Sequence, residues 1–273
     1  MQIEYNPDLI LTQEYTEAEV QNYTGSFCGF VLLKSNYHLK RLAERLQKTY
    51  NIAAAPNGID FCDSMQDFMQ DLMLDVPGAM VTVSFMNEPI PEGEAETAAM
   101  HAVWEGANHA AKTHTAHLMI AVLPDTMSAI DAGKLYSRII SAALEDDAVL
   151  AVYTSGTILE PMQFCQHTAE AGDLLPLDNL IFIGTYVREG GNCGYTVGLD
   201  AFGKDELEIL DSNESSETVA YVLRECANII LTDNLPSQWY FTAEIDGITW
   251  EGRRKDGVMV EGHSIQLTHL FSV

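Results

Sequence analysis

The feature that most constrains this chain is an order of sequence periodicities that occurs twice. "FCGFVLLK" (residues 27–34) is a continuous apolar run and reads as a buried strand. After the capping pair Ser35-Asn36, "YHLKRLAERLQKTY" sets Leu39, Leu42, Ala43, Leu46 and Tyr50 at helical spacing. "DFMQDLMLDV" and "AMVTVSFM" are extended runs on either side of Pro77-Gly78, a turn signal, and so form a hairpin. A helix over "EAETAAMHAVWEGANHAAKT" and a strand over "HLMIAVL" complete the set. The order is strand, helix, strand, strand, helix, strand.

The same order follows a linking helix, "AIDAGKLYSRIISAALE". Strand "AVLAVYT", a short helix near "PMQFCQHTAEA", and strands "NLIFIGTYVRE" and "GYTVGLDAF" around a Gly190-Gly191-Asn192 turn come next. Helix "SETVAYVLRECANIIL", strand "WYFTAEIDGITW" and one or two strands in "GVMVEGHSIQLTHLF" close the chain. A βαββαβ unit packs both helices on one face of an antiparallel sheet. The expected class is therefore α+β, with two ferredoxin-like halves that share one sheet or pack together. The alternative is one mixed sheet with helices on both faces. The expected division is an N-terminal extension over 1–25, a first half over 26–125, a linking helix over 126–146 and a second half over 147–273.

Charge narrows the function. There are 40 Asp and Glu against 14 Lys and Arg, a formal net charge of -26. No Lys or Arg lies between Lys48 and Lys112, nor between Arg138 and Arg188. Such a surface repels phosphate backbones, which argues against direct nucleic-acid binding. It serves solubility, and it also suits cations or a basic protein partner. No run is long enough to span a bilayer, and the first residues lack a basic and apolar leader pattern, so a cytoplasmic protein without a membrane role is expected. Five widely spaced cysteines, none in C-x-x-C, fit reduced thiols in that compartment.

Two stretches carry a family likeness. "GYTVGLDAFGKDELEILDSN" followed by a helix and "DGVMVEGHSIQL", with "NEPIPEGEAETAAMHAVWEGANHAAKTHTAHLMIAVL" upstream, resembles the uncharacterised bacterial family catalogued as domain of unknown function 4261. The likeness runs from Phe27 onward. It departs from the family pattern at "NLPSQWYFTAEIDGITWEG", where members often carry a D-G-x-T-I-G turn and strand. The resemblance implies bacterial, cytoplasmic company, sometimes beside toxin-antitoxin or secretion genes, and no established activity. The A-H pair at His117 and the helical Trp104 belong to the shared pattern.

Candidate chemistry is sparse. His101, Glu105 and His109 follow one another at i, i+4 on one expected helix, with His114 and His117 beyond. Imidazoles and a carboxylate on one stripe suit zinc, and His101, Glu105, His109 and His117 are the candidate ligands, although the H-E-x-x-H pattern is absent. The competing reading is a solvated stripe and a packed His117. Gly198 to Lys204 matches G-x-x-x-x-G-K, but Asp205 stands where a P-loop needs a hydroxyl. The glycines therefore mark close packing or a bulge rather than a phosphate cradle. Glu206 and Glu208 share one side of an extended segment, and with Asp200 and Asp211 they suit a cation site or an acid/base pair. Against this, Leu207 and Ile209 facing a core would leave the carboxylates merely solvated. Cys193 is expected at an exposed turn, and Met65, Met69, Met73, Met80 and Met86 in packing gaps.

No catalytic residue or cofactor emerges. The expected cleft residues are Tyr195, Lys204, Glu206, Glu208, His117 and Trp104. The favoured reading is a non-enzymatic acidic interaction protein engaging a basic partner, as bacterial immunity proteins do. A metal-dependent enzyme built on the histidines or on Glu206 and Glu208 is the alternative, and a homodimer through sheet edges is a third reading.

Overall fold

The computed structural model describes residues 25–60, 69–232 and 240–270. They fall into two compact units, Gly25–Leu180 and residues from Ile181 onward, and each is described by itself.

In the first unit, β1 (Phe27–Leu33) leads into α1 (Leu39–Tyr50), which buries Leu39, Leu42 and Leu46 and ends on Asn51 in the left-handed conformation (φ 56°). The helix starts at His38 with no side-chain cap, so Ser35-Asn36 is not the capping pair. Strands β2 (Ala53–Asp60), β3 (Met69–Asp75) and β4 (Ala79–Met86) follow, then short helices α2 (Glu94–Ala99) and α3 (Ala107–Thr113) and strand β5 (Ala116–Pro124). The long α4 (Ala129–Ala143) opens on Ser128, whose hydroxyl oxygen accepts from Asp131 N–H at 3.1 Å, satisfying a donor of the first turn. β6 (Val149–Thr154), β7 (Thr157–Leu159), α5 (Pro161–Ala171) and α6 (Leu177–Leu180) complete the unit.

Among the described residues these strands form one antiparallel sheet in the order β2-β3-β4-β5-β1-β6-β7. Alternation along each strand decides its faces. Phe27, Val31, Leu118, Ile120, Val122, Val81, Val83, Leu72 and Leu74 are buried on one face, beneath α1 and α4. Tyr136 of α4 packs its ring on Phe27 and its hydroxyl against Gly29, where a Cβ would lie 2.0 Å from the phenol oxygen. On the other face, α2 and α3 cover Leu32, Ala151 and Ile158 with a set of alanines that lets the helices lie close.

The second unit has strands β8 (Phe182–Arg188), β9 (Gly191–Val197) and β10 (Glu206–Ser212), helix α7 (Ser216–Thr232), and strands β11 (Phe241–Ile245), β12 (Ile248–Asp256) and β13 (His263–Leu270). Their order is β11-β12-β13-β10-β9-β8, antiparallel except for β10 beside β13. That parallel pair is reached by the crossover through α7, as parallel neighbours require. α7 buries Val219, Val222, Leu223, Cys226, Ala227 and Ile230 at helical spacing. Gly194 lets it approach: a Cβ there would meet Val219 Cγ1 at 2.7 Å and Leu223 Cδ1 at 2.8 Å.

The class is α+β, as the periodicities imply. The strand order differs from a ferredoxin-like unit, because β4 pairs directly with β5 where that arrangement sets β1. The linking helix and β6, expected outside the first half, belong to the first unit: the helix packs on its sheet and β6 hydrogen-bonds to β1. The halves hold two sheets rather than one. β2 goes unread in the sequence because Pro56-Asn57-Gly58 is a turn signal. It is tolerated because β2 is the last strand of its sheet and shifts register between Ala54 and Ile59. No helix of the described residues is long and apolar enough to cross a membrane.

Candidate functional site

Glu206 and Glu208 lie on β10, between β9 and β13. Leu207 and Ile209 are buried, so the alternate positions carry both carboxylates to the side away from α7. There Glu208 sits opposite Tyr195 of β9, and Tyr195 lies across Gly184 of β8, where a Cβ would come 2.6 Å from its ring. Phe182 meets the Tyr195 ring edge-on at 6.1 Å.

Both carboxylates are consumed by the fold. Glu208 is 0% exposed. Its oxygens accept from Val258 N–H (3.0 and 3.1 Å), Met259 N–H (2.6 Å) and the Ser264 hydroxyl (2.6 Å). It thereby pins the loop between β12 and β13 onto the sheet. Glu206 accepts from the Thr196 hydroxyl (2.6 Å), Gly198 N–H (2.7 Å) and Asp200 N–H (3.3 Å), which fixes the turn after β9. That turn needs Gly198 at φ 120°, continues as a 3-10 turn over Asp200–Phe202, and enters a strand. A phosphate cradle would have a helix there, so the glycines serve the turn.

Burial pushes the Glu206 carboxyl above the usual glutamate range, against the opposing pull of Thr196 and the Gly198 amide. Burial also holds the Lys204 ammonium below the usual lysine range. Opposed shifts of this kind mark functional sites in many enzymes. Here both oxygens of Glu206 already hold donors of its own turn, and a general base needs a free lone pair facing a substrate. Asp205, beside Lys204, instead takes Arg254 of β12 in a two-point ion pair (2.6 and 3.3 Å). Asp211 takes Arg188 in the same manner. These partners, with Ser264, are residues that sequence reasoning passes over. The available signal was the run Arg253-Arg254-Lys255, three cations on one strand of a chain otherwise short of them.

His117 and Trp104 belong to the first unit, and the other four expected cleft residues to the second. His117 is buried on β5, donates from Nδ1–H to the Glu88 carbonyl (2.8 Å) and meets Phe30 edge-on. Burial is the main reason its pKa falls below the ordinary histidine value. Trp104 packs on the alanine cluster of α2 and α3, its ring folded against Gly106.

The expected continuous helix through the histidines is broken. Met100, His101 and Ala102 N–H groups bond three residues back, unwinding α2, and α3 begins only at Ala107. His101 therefore leaves the stripe, with Nδ1 3.5 Å from the Gly156 carbonyl, while His109 alone sits on α3 and Glu105 precedes it. His114 spends both nitrogens, accepting Ile90 N–H at Nε2 (2.9 Å) and donating from Nδ1 to Ala111 O (2.6 Å). Among the described residues, no three His, Cys, Asp or Glu lie together as a metal ion requires. His101, Glu105, His109 and His117 are thus not gathered into a site.

Other expectations also shift. Cys193 is fully buried rather than exposed at a turn, and its sulfur accepts Asp211 N–H at 3.2 Å. Met73 and Met80 are 43% and 51% exposed instead of filling gaps, and Met65 lies outside the described residues. A cleft of about 480 Å³ is lined by Arg41, Glu44, Arg45, Lys48, Glu145, Asp146 and Asp147. Three cations there face four carboxylates, with Arg45 3.8 Å from Asp146, so it makes no strong demand for an ion.

Comparison with protein-family models, with curated proteins and with solved structures gave no match to this chain.

Proposed function

We propose that this chain is a binding protein without chemistry of its own, which engages a basic protein partner in a bacterial cytoplasm, in the manner of an immunity protein. The observation that carries the reading is a charge count. Pairing all 14 Lys and Arg with carboxylates would still leave 40 − 14 = 26 of the 40 acids with no cation in the chain. Several cations are already committed, among them Arg45, Lys134, Arg138, Arg188, Arg253 and Arg254. A surface of one sign steers an oppositely charged partner and rejects like-charged ones.

The engagement of Glu206, Glu208 and His114 in holding turns and loops supports the same reading, since groups spent on the fold are poorly placed for catalysis. The likeness of "GYTVGLDAFGKDELEILDSN" to domain of unknown function 4261 supports the bacterial setting and is part of the proposal. The test is capture by the immobilised full chain from bacterial extract at low ionic strength, followed by elution with rising salt. A specific basic protein that leaves as salt rises is expected, because screening removes surface attraction beyond about 8 Å at physiological strength. Capture of no basic protein, or of one indifferent to salt, refutes the reading.

A further inference from the structure

The first sheet is covered unequally. Its buried face lies under α1 and α4, whereas α2 and α3 cover the opposite face only toward β1, β6 and β7. Over β3, β4 and β5 no helix of the described residues lies on that second face, which is exposed near the β3–β4 turn and closes at Ser84 and His117, each 6% exposed. Register places Met80 of β4 opposite Leu123 of β5, Thr82 opposite Met73 of β3 and Ala121 of β5, and Ala121 opposite Cys28 of β1. Met80 is 51% exposed, Met73 43% and Leu123 37%, and Cys28 is exposed. Large apolar side chains gathered on one exposed face mark an interaction surface, whereas single ones do not.

The surroundings of this patch are acidic. Asp71 and Asp75 share the face of Met73 on β3, and Asp125 directly follows β5. None of the seven strands carries a Lys or Arg. Methionine side chains are flexible and polarizable, so they adapt to varied apolar partners. Four strands are about 14 Å across, and a helix with its side chains is about 10–12 Å in diameter.

We infer that the exposed end of this face, across β3, β4, β5 and β1, is the docking surface, and that it takes a cationic amphipathic helix of the partner. The inference rests on the proposal above that the partner is basic, and it adds where and by which chemistry the partner is held. Leucine-like residues of the helix cover Met73, Met80 and Leu123, while its Lys and Arg meet Asp71, Asp75 and Asp125. Charge decides against the other occupants. Residues 1–24 of this chain hold Glu4, Asp8, Glu14, Glu17 and Glu19 and no Lys or Arg. A second copy offers one strongly basic helix, α1, but its Leu39, Leu42 and Leu46 are buried within their own unit.

The test uses the full chain with methionine methyl groups observed by NMR. The probe is a synthetic peptide of leucines and lysines at helical spacing, and the control has the same composition in scrambled order. The helical peptide is expected to move the Met73 and Met80 methyl signals and to leave Met100 and Met162, both well exposed, unmoved. A M73Q/M80Q double variant keeps the charge and removes apolar surface, so its affinity is expected to fall about tenfold or more. Equal affinity for both peptides, with Met73 and Met80 unmoved, overturns this surface and leaves the basic-partner reading standing. Binding of neither peptide at low salt overturns both. Signals that move with protein concentration alone assign the face to a second copy. Signals shielded from a dissolved paramagnetic agent in the free chain assign it to the chain's own segment, and each of these results overturns the inference.

Discussion

Removing the Glu208 side chain tests whether a buried carboxylate at mid-sheet is part of the scaffold. Glu208 has no solvent exposure and receives three donors, two of them main-chain N–H groups of the loop between β12 and β13. In Glu208→Ala, the amides of Val258 and Met259 lie in a loop whose side chains are about half exposed, so they can turn to water. The Ser264 hydroxyl cannot, because Ser264 is 0% exposed. An unsatisfied buried hydroxyl costs about 1–3 kcal/mol, and the void left by the side chain adds about 2 kcal/mol. The expected loss is about 3–5 kcal/mol in the second unit.

Glu208→Gln separates charge from shape. It keeps one carbonyl oxygen for the two amides, and its NH2 group can donate to the Ser264 oxygen after the hydroxyl rotates. What disappears is the charge assistance, offset by the relief of a buried charge, so about 1–2 kcal/mol is expected. Denaturant unfolding followed at Trp250 of β12, together with hydrogen exchange at residues 257–262, reads both variants. A site kept for function at the expense of stability behaves oppositely, since its removal stabilises. Glu208→Ala at or above the parent stability, with loop protection unchanged, refutes the structural reading.

Two further outcomes follow from single residues. The folded-state pKa of His117 lies below its unfolded value of about 6.5, so its contribution to stability is present above that pH and is lost as pH falls through the folded value. The unfolding midpoint of the parent is expected to decline in that window more steeply than that of His117→Gln, and parallel profiles contradict it. Gly194→Ala sets a methyl 2.7 Å from Val219 and 2.8 Å from Leu223, and about 1–3 kcal/mol of destabilisation is expected in denaturant unfolding. A neutral result would mean that α7 does not approach β9 this closely.

Much of the fold is written in local pattern. α4 and α7 follow from apolar spacing and from serine starts, and the hairpin at Pro77-Gly78 follows from two extended runs across a turn signal. Strand pairing is another matter. Nothing near residue 149 shows that β6 pairs with β1, more than a hundred residues away, because that choice is made by apolar faces meeting after the chain has turned. The helix over 94–113 breaks after Ala99, where the next N–H groups bond three residues back, and restarts only after Gly106, with the Trp104 ring between them packed on the alanine cluster. Tertiary packing overrides a helical period there, and with it goes the His101, Glu105, His109 stripe. The pairing of Glu206 and Glu208 on one side of a strand was legible from their spacing. The burial of Glu208 was not, since it depends on a loop fifty residues later in the chain.

The charge of the chain bears on how any salt-dependent capture is interpreted. Twenty-six excess carboxylates repel one another, so added salt screens that repulsion and favours the compact state of the free chain. A basic partner does the same more locally, replacing diffuse counterions with fixed Lys and Arg, and stabilises the form it binds by mass action. Salt therefore acts with opposite sign on the free fold and on the complex. A partner released at high salt is released from a chain that is then at least as well folded as before, and unfolding cannot account for the loss. The apolar share of the contact behaves differently again. Burial of Met73, Met80 and Leu123 does not weaken with screening, so a helical partner held by that face keeps a residual affinity where a purely ionic one keeps none. Residual binding at high salt, abolished by M73Q/M80Q, is therefore the signature that joins the charge of this chain to its exposed sheet face.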